Sequence, residues 1–203
     1  YVSGPQNAPC GVCDQCIEGR TSICSGMFGA LRRPGGVFGE YLERDIDKLF
    51  VFDRDVDPIV AAVVEPLAIA VFDVHHTCVG MGDNVFIIGA GAVGIMIGLL
   101  ARLNGANVTF GEVSTKRIEF IKSMGFEAFN TIDASVDEIL AANGGKGMDF
   151  VFEVSGAQPA WDLALKTVKH GGMMVPVGLP YAERTVDMGR IFRNEINVFS
   201  VNM

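Results

Sequence analysis

Four cysteines and three glycines carry the chemistry this sequence can offer. Cys10, Cys13, Cys16 and Cys24 follow the pattern C-x2-C-x2-C-x7-C, so four of the chain's five cysteines crowd into one short stretch. Four thiolates in a loop, with Gly11 easing the turn, suit a tetrahedral zinc site with no position left open for catalysis. Such a site is structural, because it folds a loop too short to have a core. Two other readings fit the same residues. A disulfide pair would suit an exported protein. An iron–sulfur cluster starts with similar spacing, but its fourth cysteine usually comes sooner and is followed by proline. Zinc fits best.

The glycines lie in Gly89-Ala90-Gly91-Ala92-Val93-Gly94, the pattern G-x-G-x-x-G. Gly89 allows a tight turn, Gly91 lets backbone approach a pyrophosphate, and Gly94 lets a helix pack closely on a strand. The phosphates would sit at the helix N-terminus near Gly91, Ala92 and Val93, where unpaired N–H groups and the helix dipole favour anions. Glu112 follows Gly94 by 18 positions. There a carboxylate can accept hydrogen bonds from the adenosine ribose of NAD and repel the 2′-phosphate of NADP. Arg117 is close enough to stack on adenine or meet a phosphate. A glycine-rich turn in an ordinary α/β protein has the same composition, and a pyrophosphate-binding flavoprotein has the same motif. The strand before, the helix after and the acid beyond favour NAD.

The surrounding elements must hold these groups. From Asn84 onward, apolar strands alternate with helical patterns. The strands are Val85–Ile88, Val108–Phe110, Ala128–Thr131, Phe150–Val154, Met173–Val177 and Ile196–Val201. The helices are Ala92–Leu103, Lys116–Met124, Ser135–Ala142, Pro159–Val168 and Met188–Phe192, with Gly125 as a C-cap. Six such strands predict a doubly wound parallel sheet. Upstream, residues 35–42 read as a turn into a strand and Lys48 to Phe52 as a second strand. Pro58 opens a helix that Glu65-Pro66 should break, because proline removes a ladder hydrogen bond. It resumes from Leu67 to His75. The domain boundary is placed near residue 66, giving domains 1–66 and 67–203.

Composition excludes some partners. The 203 residues carry a net charge of −8 and no basic run, so nucleic acid is not expected. Apolar runs stop short of the roughly 20 residues of a membrane span, so no membrane partner is expected. The first residues have no signal-peptide pattern, and a cytoplasmic location is expected.

The four-cysteine run, GGVFGEYL, VEPLAIA and GAGAVG together resemble the zinc-dependent medium-chain alcohol dehydrogenases, most closely the sorbitol, butanediol and threonine dehydrogenase branch. The likeness covers essentially the whole chain, with the motifs in the family's order. It implies a Rossmann-type six-stranded sheet plus part of a β-rich catalytic domain carrying the zinc lobe. It also implies NAD-dependent oxidation of a secondary alcohol or polyol, with L-threonine as the rival substrate. Glu65 resembles the acid beside the catalytic zinc, as ligand or neighbour of a ligand; its ordinary alternative is a solvent-facing acid. Ser155 and Gly156, with Val177, Gly178 and Leu179, resemble the walls of the nicotinamide pocket. The family's other catalytic zinc ligands, a Cys and the His of a Gly-His-Glu motif, precede the four-cysteine lobe and are not found in residues 1–203. The chain therefore resembles the middle of a longer enzyme. A module that binds NAD and one zinc without catalysis is the alternative. His75 and His76 read as a surface helix end and Cys78 as a buried small residue. Relatives are usually homodimers or homotetramers, and the apolar last strand is a candidate for pairing.

Overall fold

The computed structural model describes residues 2–4, 9–26, 40–41, 46, 49–179 and 182–200. Most of the strand expected over residues 35–42 lies outside them. The chain divides into two compact units, one running up to Glu65 and the other from Pro66 to Val201.

The first unit has little regular structure. Strand β1 (Val2–Ser3) pairs antiparallel with β2 (Phe50–Val51). Helix α1 (Asp14–Ile17) and a 3-10 turn (Thr21–Ile23) hold the cysteine loop.

The second unit is built on a six-stranded sheet. Its strands are β3 (Asn84–Ile88), β4 (Asn107–Glu112), β5 (Glu127–Asn130), β6 (Met148–Glu153), β7 (Val168–Pro176) and β8 (Asn197–Val198), in the order β5-β4-β3-β6-β7-β8. Every neighbouring pair is parallel. The helices between them are α3 (Ala92–Leu103), α4 (Thr115–Ser123), α5 (Val136–Ala141), α6 (Gln158–Thr167) and α7 (Met188–Arg193). Both faces of a parallel sheet are covered, so its strands read as continuous apolar runs. Side chains alternate across it: Val85 and Ile87 join Ile97, Ala101, Phe110 and Ile121 on one face, while Phe86 and Ile88 join Ile139, Val151, Leu165 and Met174 on the other. This is the doubly wound α/β sheet. Chain order reverses between β3 and β6, the switch point at which such sheets bind ligands beyond their strand ends.

Helix α2 (Pro58–Thr77) corrects the sequence reading. It runs unbroken through Pro66. One proline removes one ladder bond at about 3 kcal/mol, and the remaining ladder of a 20-residue helix, with Ala61, Ala62, Glu65, Leu67 and Ala68 as good helix formers, carries it through. The result is a 20-residue helix long and apolar enough, by length and composition alone, to cross a membrane. The sequence reading counted its two halves separately. Four of its residues, Ala70, Asp73, Val74 and Thr77, are buried. Cys78 corrects it too. It is exposed, because the chain leaves α2 there with φ 57, in the left-handed region. His75 and His76 are exposed, as expected of a helix end.

Asp73 is 1% exposed and its Oδ2 has no hydrogen-bond partner among the described residues. Burial pushes its carboxyl from 3.8 to about 6, against the pull of His76. The folded state therefore holds this proton more tightly than the unfolded chain. The stability it contributes is present below about pH 4 and lost as pH rises through about 6, a swing on the order of 3 kcal/mol. Asp73→Asn should raise stability in urea melts at pH 8 by about 1–2 kcal/mol and change little at pH 4. Equal effects at both pH values would contradict this.

Candidate functional site

The three glycines of the motif stand in different relations to the fold. Gly89 has φ 112, which side-chain-bearing residues rarely adopt. A Cβ on Gly94 would lie 2.1 Å from the carbonyl oxygen of Gly89, so strand end and helix start touch there. The fold itself therefore requires both. Gly91 differs. It is the N-cap of α3 with φ −79 and ψ −175, ordinary extended backbone, and a Cβ there would meet nothing within 4 Å. Nothing among the described residues explains that glycine. It borders open space at the N-terminus of a helix whose first N–H groups lack intrahelical partners. A helix start of this kind can receive an anion. Ala92 is exposed and Val93 half-buried in the first turn.

Glu112 ends β4 as expected, but its carboxylate is already occupied. It is 5% exposed. Oε2 accepts the Ala90 N–H at 2.8 Å; Oε1 accepts those of Val113 at 2.8 Å and Ser114 at 3.0 Å. Arg117 lies 3.6 Å from Oε2. Burial pushes this carboxyl up, but the Ser114, Ala90 and Val113 donors, with Arg117, hold it below its ordinary value. A carboxylate has about four acceptor positions, so little is left for a ribose. The acid also ties the end of β4 to the glycine turn, which its sequence position does not reveal.

Ser155 and Gly156 follow β6, and Val177, Gly178 and Leu179 follow β7. The structure brings these loops together: a Cβ on Gly178 would lie 2.2 Å from the Gly156 nitrogen. Ser155 also abuts the glycine turn, its nitrogen 3.4 Å from where a Cβ on Gly89 would stand. Leu179 is exposed. Sequence reasoning missed Glu153, which is 0% exposed. Its signal was an acid inside an apolar strand. Burial pushes its carboxyl up, opposed by donors from Ser155 and Gly156.

In the first unit, the sulfurs of Cys10, Cys13, Cys16 and Cys24 all lie within 4.8 Å of one another. The Cys10–Cys16 and Cys13–Cys24 pairs stand at 3.9 Å. Tetrahedral zinc with 2.3 Å bonds sets its sulfurs roughly 3.8 Å apart, so this donor set fits one such ion. All five cysteines are free thiols, which removes the disulfide reading. Backbone N–H groups of Cys10 and Cys13 point at the sulfurs of Cys24 and Cys10, each at 3.3 Å. Such bonds favour thiolates: the Cys16 backbone N–H leads in lowering Cys13 to about 6, and that of Cys10 in lowering Cys24. Burial pushes Cys16 up to about 12. Glu65 is exposed in α2. Among the described residues, the four cysteines are the one group placed to hold a metal, and no donor set gathers around Glu65.

A nucleotide-type α/β sheet in one unit and a four-thiol metal lobe in the other define a metal-binding dehydrogenase architecture. The chain belongs to the zinc-binding dehydrogenase family, whose model matches residues 92–203. It is similar to the L-threonine 3-dehydrogenase of Escherichia coli, 33% identical over 197 residues, 94% of this chain and 56% of that protein. The chain thus spans little more than half the length of the curated relatives it matches. Among solved structures it resembles a putative zinc-binding dehydrogenase from Sinorhizobium meliloti bound to NADP, with TM-score 0.87 and 26% identity over 99% of this chain and 61% of that one. Galactitol-1-phosphate dehydrogenase from Escherichia coli gives TM-score 0.86 and 26% identity over 100% and 60%.

Proposed function

We propose that this chain supplies the cofactor-binding unit and structural zinc lobe of an NAD-dependent dehydrogenase acting on a secondary alcohol or polyol. The observation that carries the cofactor reading is Gly91, a glycine that the fold does not need beside a helix N-terminus. In this reading Gly91, Ala92 and Val93 receive the pyrophosphate, and Gly89 and Gly94 shape the turn. Glu112 braces the turn and, with Arg117 beside it, faces the adenosine. Ser155, Gly156, Val177, Gly178 and Leu179 wall the nicotinamide side and exclude water. Bound NAD supplies the hydride acceptor. Cys10, Cys13, Cys16 and Cys24 hold one zinc ion in a closed, structural role. Glu65 beside a catalytic zinc is a reading of a longer parent, since among the described residues no donor set gathers around it.

Two substrate classes have support. The galactitol-1-phosphate enzyme among its likenesses favours a polyol, while the threonine enzyme favours L-threonine; a secondary alcohol is common to both. Alternatively, the chain by itself binds cofactor and zinc without turnover. We place the protein in the cytoplasm with a small-molecule substrate. Edge strand β8 is the candidate for pairing into a homodimer or homotetramer.

Gly91→Asp tests the cofactor reading. Aspartate is a good N-cap, so the melting temperature should hold. Its side chain would fill the cradle with negative charge and lower NAD affinity at least about tenfold. Unchanged affinity by calorimetry would remove the pyrophosphate from this turn.

A further inference from the structure

We propose that Glu153 is a positioning residue for the nicotinamide half of the cofactor, a reading that rests on the dinucleotide assignment above. A carboxylate inside a parallel sheet is costly to desolvate, yet Glu153 is completely buried in β6. Its surroundings show what offsets that cost. Oε1 accepts the Ser155 N–H at 2.9 Å, the Ser155 hydroxyl at 2.6 Å and the Gly156 N–H at 2.9 Å, and Oε2 lies 3.2 Å from the Gly156 nitrogen. Its main-chain oxygen accepts the N–H groups of Val177 at 2.8 Å and Gly178 at 2.9 Å. One residue thus holds two loops, the first through its side chain and the second through its backbone.

Those loops leave no slack. A Cβ on Gly156 would lie 2.6 Å from the Leu179 oxygen, and Arg184 donates to the Gly156 oxygen. A shift of the Ser155 loop must therefore displace the loop after β7. Their place in the sheet says what they face. Glu153 pairs with Ile88 on β3 and with Pro176 on β7, on the far side of the switch point from Glu112. A dinucleotide with its adenosine beside Glu112 and its pyrophosphate at Gly91 extends its remaining half across the ends of β6 and β7. That half is the nicotinamide riboside. Glu153 does not touch it; the carboxylate fixes the backbone groups that do.

Glu153→Gln keeps the size and one acceptor oxygen but removes the charge and the second acceptor. NAD and ADP-ribose, which lacks the nicotinamide ring, are titrated separately into wild type and variant. The variant should lose NAD affinity at least about fivefold and bind ADP-ribose within about twofold of wild type. The fluorescence change of NADH on binding should shrink with it. Equal loss of both ligands, or loss of neither, overturns the proposal. Glu153→Asp, which keeps the charge at shorter reach, should show the same split and serves if the glutamine variant does not fold. A wild type that binds neither ligand overturns the dinucleotide assignment itself, and this proposal with it.

Discussion

Cys24→Ser should empty the metal lobe. Cys24 is 1% exposed, and its sulfur belongs to a set within 4.8 Å that no other described cysteine can complete. Cys78 follows α2, far along the chain. Structural zinc in small lobes contributes apparent binding free energy on the order of 10 kcal/mol, more than the whole stability of many domains. The loop from Cys10 to Cys24 has only one short helix and one 3-10 turn to hold it without the ion. Metal analysis after dialysis should find about one zinc per wild-type chain and almost none in the variant. Protease should then cut within residues 10–26, while the far-ultraviolet signal of the α/β unit persists, because its buried clusters draw on residues from Ala70 onward. Full zinc retention by the variant would remove the four-thiol site.

Gly94→Ala should be strongly damaging to the α/β unit. The added carbon would stand 2.1 Å from the Gly89 oxygen and 3.2 Å from the Gly89 carbonyl carbon. Both are backbone, at the point where β3 passes into α3, so no side chain can turn aside. Overpacking of this kind commonly costs about 1–3 kcal/mol, and a clash with the Gly89 backbone, which cannot rotate away as a side chain would, places this case at the top of that range, about 3 kcal/mol. Gly91→Ala is the matched control. Its carbon meets nothing within 4 Å, so the unfolding free energy from urea melts should change by no more than about 1 kcal/mol, the cost of a poorer N-cap. Two glycines three positions apart should thus give opposite results, one in stability and the other in cofactor affinity. Similar destabilisation by both would mean that Gly91 also serves the fold.

The sheet was legible because its information is local. Val85 to Ile88 is a continuous apolar run, Gly89 requires positive φ, and Ala92 starts a helical period at once. Gly125, with φ 78, closes α4 by the same kind of local signal. The four-thiol lobe was legible for the same reason, since its ligands are close in sequence. Pro66 misled because a single-residue rule predicts a break, whereas the outcome depends on twenty residues of helix and the core they reach. Cys78 misled because its type suggests burial, while the turn after α2 faces its side chain outward. Glu153 and the bracing role of Glu112 were hidden for another reason. Both depend on which loops the topology sets beside a strand end, and no spacing in the sequence states that Ala90 lies against Glu112. The unpartnered oxygen of Asp73 is likewise a property of packing, not of pattern.

The most direct measurement is calorimetric titration of NAD, and then NADP, into the purified zinc-loaded chain. The account predicts one site, tighter for NAD than for NADP, because the 2′-phosphate must approach the Glu112 carboxylate, whose negative charge remains although three backbone N–H groups and Arg117 hold it. No binding of either dinucleotide would contradict the central claim and leave Gly91 without an explanation.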